Sequence, residues 1–450
     1  MWLSRKVTKE MKNKKKAFKA FKSDKSEASY KAYRAANKAC KNAIRWAKLE
    51  NEKEIAKESK TNPKRFFRYI YSKKPKSENV GSLKSESGLL LTEDQDKAEI
   101  LNYYFSSVFI KEKPITGDMQ FINKNLLIQS DWLPQDKVLQ KLNNVNVNVN
   151  KAPGPDGIHP RVLRELCVEI CKPLFLIFQD SFLSGIVPED WRKADVVPIF
   201  KKGLKFVPGN YRPVSLTSVA GKVFEGLQRD NIQEFIGRYN VIGKNQHGFM
   251  KHRSCQTNLI TFYEEVSRSI DQGVLVDVIY LDFAKAFDTV PHKRLLFKLR
   301  KIGLEENTCS WIENWLKDRV QRVVINGTFS RWTPVVSGVP QGSVIGPILF
   351  NLFINDLEIG IESHVSVFAD DTKVGKVIQC EQDVTSLQRD LDRLGDWALK
   401  WQMKFNVDKC KVMHFGVKNT QVIYTLNGTE LGKSKHEKDL GIIIDFKLSN

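Results

Sequence analysis

Two adjacent aspartates interrupt an apolar stretch, VSVFADDTKV, at residues 365–374. Val365, Val367 and Ala369 alternate with Ser366 and Phe368, which predicts a strand. Residues 372–374 predict a second strand that returns beside it. Asp370 and Asp371 then lie at the turn of a hairpin. Aspartate is common in turns, so the dipeptide alone favours an ordinary surface turn. Two carboxylates in a half-buried hairpin nevertheless destabilise the fold unless a cation offsets their desolvation.

A third carboxylate follows another apolar strand, in VLVDVIYLDFAKAFDTVPH at residues 274–292. If this strand pairs with the hairpin, Asp282 comes close to Asp370 and Asp371. Mg²⁺ prefers a few carboxylates together with phosphate oxygens. Three carboxylates around two such ions form a clamp for in-line phosphoryl transfer to a 3′-hydroxyl.

The positive charge is concentrated at the start of the chain. The formal net charge is +20, and residues 1–76 hold 25 Lys and Arg against 7 Asp and Glu. This segment is rich in Ala and Lys with interleaved aromatic residues, which predicts helices that contact a phosphate backbone. The alternative is a solvated linker helix. The candidate nucleic-acid-binding residues are Lys14, Lys15, Lys16, Lys64, Arg65 and Arg68.

Composition limits the class of protein. Hydrophobic residues make up 41% and charged residues 28% of the chain, as in globular proteins. The sequence contains neither an apolar run long enough to span a membrane nor a signal-peptide pattern, so no membrane partner is expected. The seven cysteines are scattered without a CxxC pair, which indicates reduced thiols in the nucleus or cytoplasm and argues against structural zinc.

Strand and helix patterns alternate without regular βαβ units, so we expect an α+β fold with antiparallel hairpins. Helices are predicted over residues 93–109, 161–185 and 215–236, and a strand over ADVVPIF at residues 194–200. A polar break at residues 76–88 and an Asn/Val-rich run with a Pro/Gly turn at residues 142–157 suggest boundaries. The expected domains are a basic helical arm at 1–80, a helical extension at 81–142 and a main domain at 143–450.

Seven motifs in order resemble those of a known family. They are NKAPGPDGIHPRVLREL, WRKADVVPIFKKG with NYRPVSLTSVAGKVFEGL, YLDFAKAFDTVPH, SGVPQGSVIGPILFNLFINDL, VFADDTKV, LQRDLDRLGDWALKWQMKFNVDKCKVMHFG and HEKDLGIIIDFKLS. The chain thereby resembles the reverse transcriptase, an RNA-directed DNA polymerase, of jockey-like LINE (non-LTR) retrotransposons. The resemblance implies a right-hand polymerase with fingers and a palm, whose antiparallel palm sheet follows the basic helical arm and the extension.

The resemblance also implies the metal and leaving-group chemistry. Asp282, Asp370 and Asp371 are the expected catalytic metal ligands, and the Phe283 carbonyl is a further ligand. Lys409 matches the lysine that protonates the pyrophosphate leaving group, with Lys404 and Lys411 as competing assignments. His292 and His414 are expected to be structural.

The expected nucleotide-binding residues are Arg212, Lys202, Phe287, Gln341 and Gly342. Arg212 would grip the triphosphate, since its planar guanidinium suits phosphate oxygens, unless it is a surface arginine in a loop. Lys201 and Lys202 either contact phosphate as well or are solvated lysines. Phe287 would exclude a ribose 2′-hydroxyl unless it is a plain core residue. Gln341 would contact the incoming nucleotide, and Gly338 and Gly342 would let the backbone approach it, unless this is a tight loop without a ligand.

The expected reaction joins deoxynucleotides to a primer 3′-OH on an RNA template, with two Mg²⁺ ions, or Mn²⁺ instead. The expected partners are the RNA template, the DNA primer or target, and dNTPs. Against the family pattern the chain reads as truncated at both ends, without the upstream endonuclease and the thumb, so nicking would come from elsewhere. The alternatives are an inactive nucleic-acid-binding remnant and an unstable translation product. A third, an intron-encoded maturase, is disfavoured by KAPGPDGIHP and KDLGIIIDFKLS.

Overall fold

The computed structural model describes residues 4–73, 80–114, 134–143, 152–416 and 419–448. The chain divides into two compact units, Met1–Asn79 and Val80–Asn450. Most of the Asn/Val-rich run lies outside the described residues. Among the described residues, no helix is both long enough and apolar enough to cross a bilayer.

The first unit consists of helices α1 (Arg5–Asp24), α2 (Glu27–Lys57) and α3 (Pro63–Lys73). The Ser4 and Ser26 hydroxyls accept bonds from the first-turn amides of α1 and α2, which gives each helix an N-cap. Between them Lys25 takes a left-handed conformation, with φ of 50°, that ends α1. Aromatic pairs, Phe18 with Tyr33 and Phe21 with Tyr30, then pack α1 against α2 at ring distances of 5.2 Å.

The second unit mixes helices and strands, as the α+β prediction requires. Its helices are α4 (Asp94–Ser107), α5 (Gln135–Asn143), α6 (Pro160–Glu165), α7 (Cys167–Ser184), α8 (Val219–Tyr239), α9 (Cys255–Asp271), α10 (Ala286–Thr289), α11 (His292–Lys301), α12 (Glu306–Leu316), α13 (Gly346–Ile354) and α14 (Glu381–Trp401). Its strands are β1 (Leu83–Lys84), β2 (Leu90–Leu91), β3 (Lys193–Phe200), β4 (Tyr211–Leu216), β5 (Leu275–Leu281), β6 (Arg319–Ile325), β7 (Thr328–Phe329), β8 (Thr333–Val335), β9 (His364–Phe368), β10 (Asp371–Ile378), β11 (Lys411–Phe415), β12 (Thr425–Leu426), β13 (Thr429–Glu430), β14 (Gly432–Lys433), β15 (His436–Asp439) and β16 (Ile442–Asp445).

The central sheet has the strand order β14-β11-β5-β10-β9, and all its pairs are antiparallel except β11 with β14. Both of its faces are buried. Ile279 and Leu281 of β5 join the main apolar core, whereas Val276 and Val278 pack with the α9 residue Phe262. Burial of alternate side chains on opposite faces explains why β5 reads as a nearly continuous apolar run.

A second sheet has the strand order β4-β3-β6-β7, and β8 also pairs with β6. Leu101 and Phe105 of α4 cover it by packing with Val196 and Val323. Only β3 and β6 run parallel. Strands β3 and β4 pair antiparallel, and the basic loop that follows Phe200 connects them.

Two predicted helices differ from the observed ones. The helix expected at 161–185 breaks at Leu166, whose φ of −103° and ψ of 19° are not helical, into α6 and α7. The helix expected from residue 215 begins only at Val219. Ser215 is still in β4, where its amide donates to the Gln341 carbonyl at 2.7 Å, and Ser218 caps α8. Long-range pairing thus overrides the local helical pattern at the start of α8.

Candidate active site

The hairpin predicted around the two aspartates is present, and β5 pairs with it. The turn between β9 and β10 is made by Ala369, with φ of 55°, and Asp370. Thr372 of β10 lies opposite Leu281 of β5 in an antiparallel register. Because Asp371 precedes Thr372 and Asp282 follows Leu281, the register places the carboxylate-bearing residues at the same end of the two strands.

A cleft of about 580 Å³ opens at this end of the sheet. It brings together most of the side chains that the sequence predicts for the site. The predicted residues that line it are Lys201, Lys202, Arg212, Asp282, Phe283, Phe287, Gln341, Gly342, Asp370 and Lys409. Asp371 does not line the cleft, but its charge interacts with those of Asp370 and Asp282.

The carboxylates repel one another. Burial, and then the Asp282 charge, raises the pKa of Asp370. Burial, followed by the charges of Asp370 and Asp282, raises the pKa of Asp371 to about 6, although part of this side chain is exposed to solvent. This excess of negative charge is what a divalent cation neutralises. The described part of the chain nevertheless holds no group of three or more His, Cys, Asp or Glu side chains close enough to enclose a metal ion.

Lys409 is the cation nearest to Asp282, with its Nζ 2.7 Å from Oδ2. The surrounding loop is held against β5, since the Asp282 carbonyl accepts from the Asn406 amide at 2.7 Å and Phe283 stacks on Phe405. Of the competing lysines, Lys411 donates to the Asp408 carbonyl, while the Lys404 carbonyl accepts from Ala284. Lys409 is therefore the lysine of the three whose ammonium is seen to reach a predicted catalytic carboxylate.

Basic residues of the β3–β4 hairpin also line the cleft. Arg212 of β4 pairs with Ile199 of β3, and the Lys201 amide closes the hairpin by donating to the Asn210 carbonyl at 2.9 Å. Desolvation, and then the neighbouring Arg212 and Lys409 charges, lowers the pKa of Lys201. Cations crowded in this way favour a polyanionic ligand between them and the carboxylates.

The loop with Gln341 and Gly342 packs on backbone. A Cβ on Gly342, with φ of 121°, would lie 2.5 Å from the Ser215 carbonyl oxygen, and one on Gly338 would lie 2.6 Å from the Phe287 carbonyl oxygen. The glycines thus allow two protein segments to meet, rather than opening room for a ligand on that side. The Gln341 amide donates to Asp288 Oδ1 at 2.8 Å.

Phe287 is packed among other aromatic rings and also borders the cleft. Its ring stacks on Phe350 at 4.5 Å and meets Phe249 edge-on at 6.4 Å, so it is packed as a core residue. It also lines the cleft. His292 and His414 are held by the Gly338 carbonyl and by Asp277.

The basic residues predicted to bind nucleic acid in the first unit differ in how freely their side chains could contact a phosphate. Lys15, Lys16 and Arg68 are exposed and Lys14 is half-buried. Arg65 forms ion pairs with Glu58 at 2.6 Å and Glu54 at 2.9 Å, which compete with a phosphate for its guanidinium. The side chain of Lys64 lies outside the described residues.

Sequence reasoning missed Lys285, which also lines the cleft. This residue has φ of 52°, and its Nζ lies 5.1 Å from the ring centroid of Tyr104 in α4. Its position three residues after Asp282 was a usable signal. The contact with α4 could not be predicted from the sequence, because it joins segments that are far apart in the chain.

Comparison with known proteins relates this cleft to a family. The family model for "Reverse transcriptase (RNA-dependent DNA polymerase)" matches residues 199–444, which contain every predicted catalytic residue. The RNA-directed DNA polymerase from mobile element jockey of Drosophila melanogaster is 30% identical over 312 residues, covering 67% of this chain and 34% of the relative. Its counterpart from Drosophila funebris is 29% identical over 332 residues, covering 70% and 36%.

A solved structure of apo telomerase from Candida tropicalis, truncated from the C-terminal domain, aligns with a TM-score of 0.41 and 12% identity, covering 65% of this chain and 60% of that one. The chain spans about a third of the length of the jockey relatives. Since the family model matches more than half of the sequence, the chain belongs to the reverse transcriptase (RNA-dependent DNA polymerase) family.

Proposed function

We propose that this chain is an RNA-directed DNA polymerase that adds deoxynucleotides to a primer 3′-OH on an RNA template. The observation that carries the proposal is a single cleft lined both by carboxylates at the ends of β5 and β10 and by cations of the β3–β4 hairpin. A nucleoside triphosphate needs both, because its phosphates require cations and its reacting centre requires a metal-binding edge. Family membership adds independent support.

The residues present suit divalent metal ions by their chemistry. Asp282, Asp370, Asp371 and the Phe283 carbonyl would hold two Mg²⁺ ions, or Mn²⁺ instead. When bound, such ions neutralise the phosphate charge and lower the pKa of the attacking hydroxyl. Lys409 would compete with a metal ion for Asp282, since its ammonium binds Oδ2 of that carboxylate.

The remaining cleft residues bind and orient the substrate. Arg212 and Lys202 would hold the triphosphate from the β3–β4 side, while Gln341 and Gly342 border the nucleotide and Phe287 excludes a 2′-hydroxyl. Lys409, released from Asp282, would donate the proton to pyrophosphate. Lys14, Lys15, Lys16, Lys64, Arg65 and Arg68 would contact nucleic-acid phosphates.

The test is Mg²⁺-dependent extension of a DNA primer annealed to an RNA template. The variant Asp370→Asn/Asp371→Asn should lose extension by a factor of 100 or more. The variant Asp392→Asn/Asp396→Asn, which makes the same charge change at two exposed residues of α14, should retain it. Folded wild-type protein that binds primer–template without extending it would contradict the proposal.

Thermal stability provides a second readout. Mg²⁺ should raise the melting temperature of the wild type but not that of the Asp370→Asn/Asp371→Asn variant, since a ligand stabilises only a state that binds it. Without divalent ions the variant should be at least as stable as the wild type, because the raised pKa values of both carboxyls show that their ionised forms are disfavoured in the fold.

A second candidate function is nucleic-acid binding without catalysis. The concentration of basic residues in the first unit favours it, because that charge alone suffices for affinity. Binding that weakens steeply with salt and is unaffected by Mg²⁺ or by the Asp370→Asn/Asp371→Asn change would support this function instead.

A further inference from the structure

A row of buried polar side chains lies directly next to the predicted catalytic carboxylates. Lys373 follows Asp371 by two residues on β10, and Tyr280 precedes Asp282 by two residues on β5. Side chains two residues apart on a strand point to the same face of a sheet. Lys373 and Tyr280 are also register partners. They therefore form the row adjacent to Asp371 and Asp282 on the same face.

Lys373 is a buried ammonium with several partners. Its residue surface is only 4% exposed. Its Nζ donates to Asp439 Oδ2 at 2.6 Å and to Asn258 Oδ1 at 2.9 Å, and lies 4.7 Å from the ring centroid of Phe262. A buried charge is tolerated only when it is paired and hydrogen-bonded, so Lys373 fixes these groups relative to β10.

Asp439, on the β15–β16 hairpin, connects the same cluster to the other catalytic strand. It is 6% exposed. Its Oδ2 also accepts from the Tyr263 hydroxyl at 2.8 Å, and that hydroxyl lies 2.6 Å from the Tyr280 hydroxyl on β5. One carboxylate oxygen is thus linked to β10 through Lys373 and to β5 through two phenols.

Strand β9, which precedes the Asp370 turn, is held by the same cluster. Asn258 of α9, which accepts from Lys373, donates from Nδ2 to Ser366 Oγ at 2.8 Å and to the Val367 carbonyl at 3.2 Å on β9. Hydrogen bonds, buried for β9 and β10 and partly buried for β5, therefore join all three strands around the Asp370 turn to α9 and to the β15–β16 hairpin.

We propose that Lys373 and Asp439 are positioning residues for the polymerase reaction, which hold β5 and β10 so that Asp282 and Asp371 keep their relative position. The inference rests on the proposed function. It predicts that a carboxylate on a C-terminal hairpin, outside the cleft, controls the turnover rate. It also predicts that the pair acts as a unit, because neither residue is stably buried without the other.

The experiment uses two variants that change the local charge in opposite directions. Lys373→Met removes a positive charge and Asp439→Asn removes a negative one. If the pair positions the strands, both variants lower kcat for dTTP addition to oligo(dT) on poly(rA) by about tenfold or more, with KM for dTTP changed less than threefold. The double variant should be no slower than the slower single variant, because coupled residues are not additive.

Lys298→Met provides a matched control. Lys298 is likewise 4% exposed and paired with a carboxylate, that of Asp356, and neither residue lines the cleft. This variant should keep kcat within twofold of wild type. All variants are compared at a temperature where circular dichroism shows them to be folded, and Asp439→Asn alone decides the result if Lys373→Met does not fold.

Three outcomes would overturn the inference. The first is a wild-type kcat in the folded Lys373 and Asp439 variants. The second is kcat changes of opposite sign in the two variants, which would show an effect of charge alone. The third is an equal loss of kcat in Lys298→Met. A wild-type chain that extends no primer would instead contradict the proposed function. In that case the readout is the Mg²⁺ concentration that gives half of the maximal thermal stabilisation. An increase of this concentration in both variants supports the positioning role. An unchanged concentration, or changes of opposite sign in the two variants, overturns the positioning role.

Discussion

At the scale of single residues, Lys298 shows how a buried charge makes stability depend on pH. Its ammonium lies 3.8 Å from the ring centroid of Trp401 and donates to the Phe353 carbonyl and to Asp356. Burial lowers its pKa from 10.5 to about 7, although Asp356 opposes the shift. The unfolded chain therefore binds more protons than the folded chain between pH 7 and 10.5, so this residue makes stability rise with pH across that window.

Lys298→Met should remove this pH dependence. At pH 6, where the ammonium is charged in both states, the variant should be more stable than the wild type by about 1–3 kcal/mol, because a buried ion pair often stabilises less than apolar packing does. Asp356 is not stranded, since it also accepts from Trp397 Nε1 at 2.8 Å. Urea unfolding at pH 6 and pH 9 measures the effect.

The control is Lys293→Met, an exposed lysine on the same helix. It should change neither the stability nor its pH dependence. A Lys298→Met protein that is less stable at pH 6 and retains the wild-type slope would show that the ion pair is net stabilising.

At the scale of elements, close backbone packing joins the Gln341–Gly342 loop to β4. Gly342→Ala should destabilise the fold by about 1–3 kcal/mol, because the new methyl group would meet the Ser215 carbonyl and φ is 121°. It should also slow primer extension at least tenfold, since the loop would move Gln341 away from Asp288. Thermal melting and single-nucleotide extension measure the two effects.

Gly327→Ala separates the clash from the backbone strain. Gly327 has φ of 86° in the turn between β6 and β7, and a Cβ there would meet nothing within 4 Å. This variant should lose only about 1 kcal/mol and keep its extension rate. Equal activity losses in both variants would contradict the proposed role of the loop.

Some parts of the site could be predicted from the sequence and others could not. Asp282 and the aspartate pair were predictable, because alternation and an apolar run define two strands whose ends carry acidic residues. The Lys373–Asp439 pair was not, because nothing local relates β10 to a hairpin 66 residues later. The start of α8 was misjudged for a similar reason, since Ser215 is held in β4 by Gln341.

At the scale of the whole molecule, the predicted α+β fold with antiparallel hairpins and the predicted reverse transcriptase family are confirmed. The charge is distributed unevenly along the chain. Residues 1–76 carry a net charge of +18 out of a total of +20. The rest of the chain, which contains the cleft and its carboxylates, is nearly neutral overall. Affinity for nucleic acid should then depend mainly on the first unit, whereas the chemistry should depend on the second.

Salt dependence tests this division in the full chain. Each phosphate contact to a single strand contributes about 0.7 to the slope of log K against log salt, and each contact to a duplex about 0.9. Lys14→Gln/Lys15→Gln/Lys16→Gln should therefore lower the slope for primer–template binding by about 2. A charge-matched control, Lys172→Gln/Lys317→Gln/Lys435→Gln, alters three exposed lysines of the second unit and should lower it by less than about 1. Fluorescence anisotropy between 50 and 300 mM salt, chosen as roughly the range over which such slopes are resolved, gives both values. Equal decreases would show that binding follows net charge alone, and that the basic helices have no special role in holding nucleic acid.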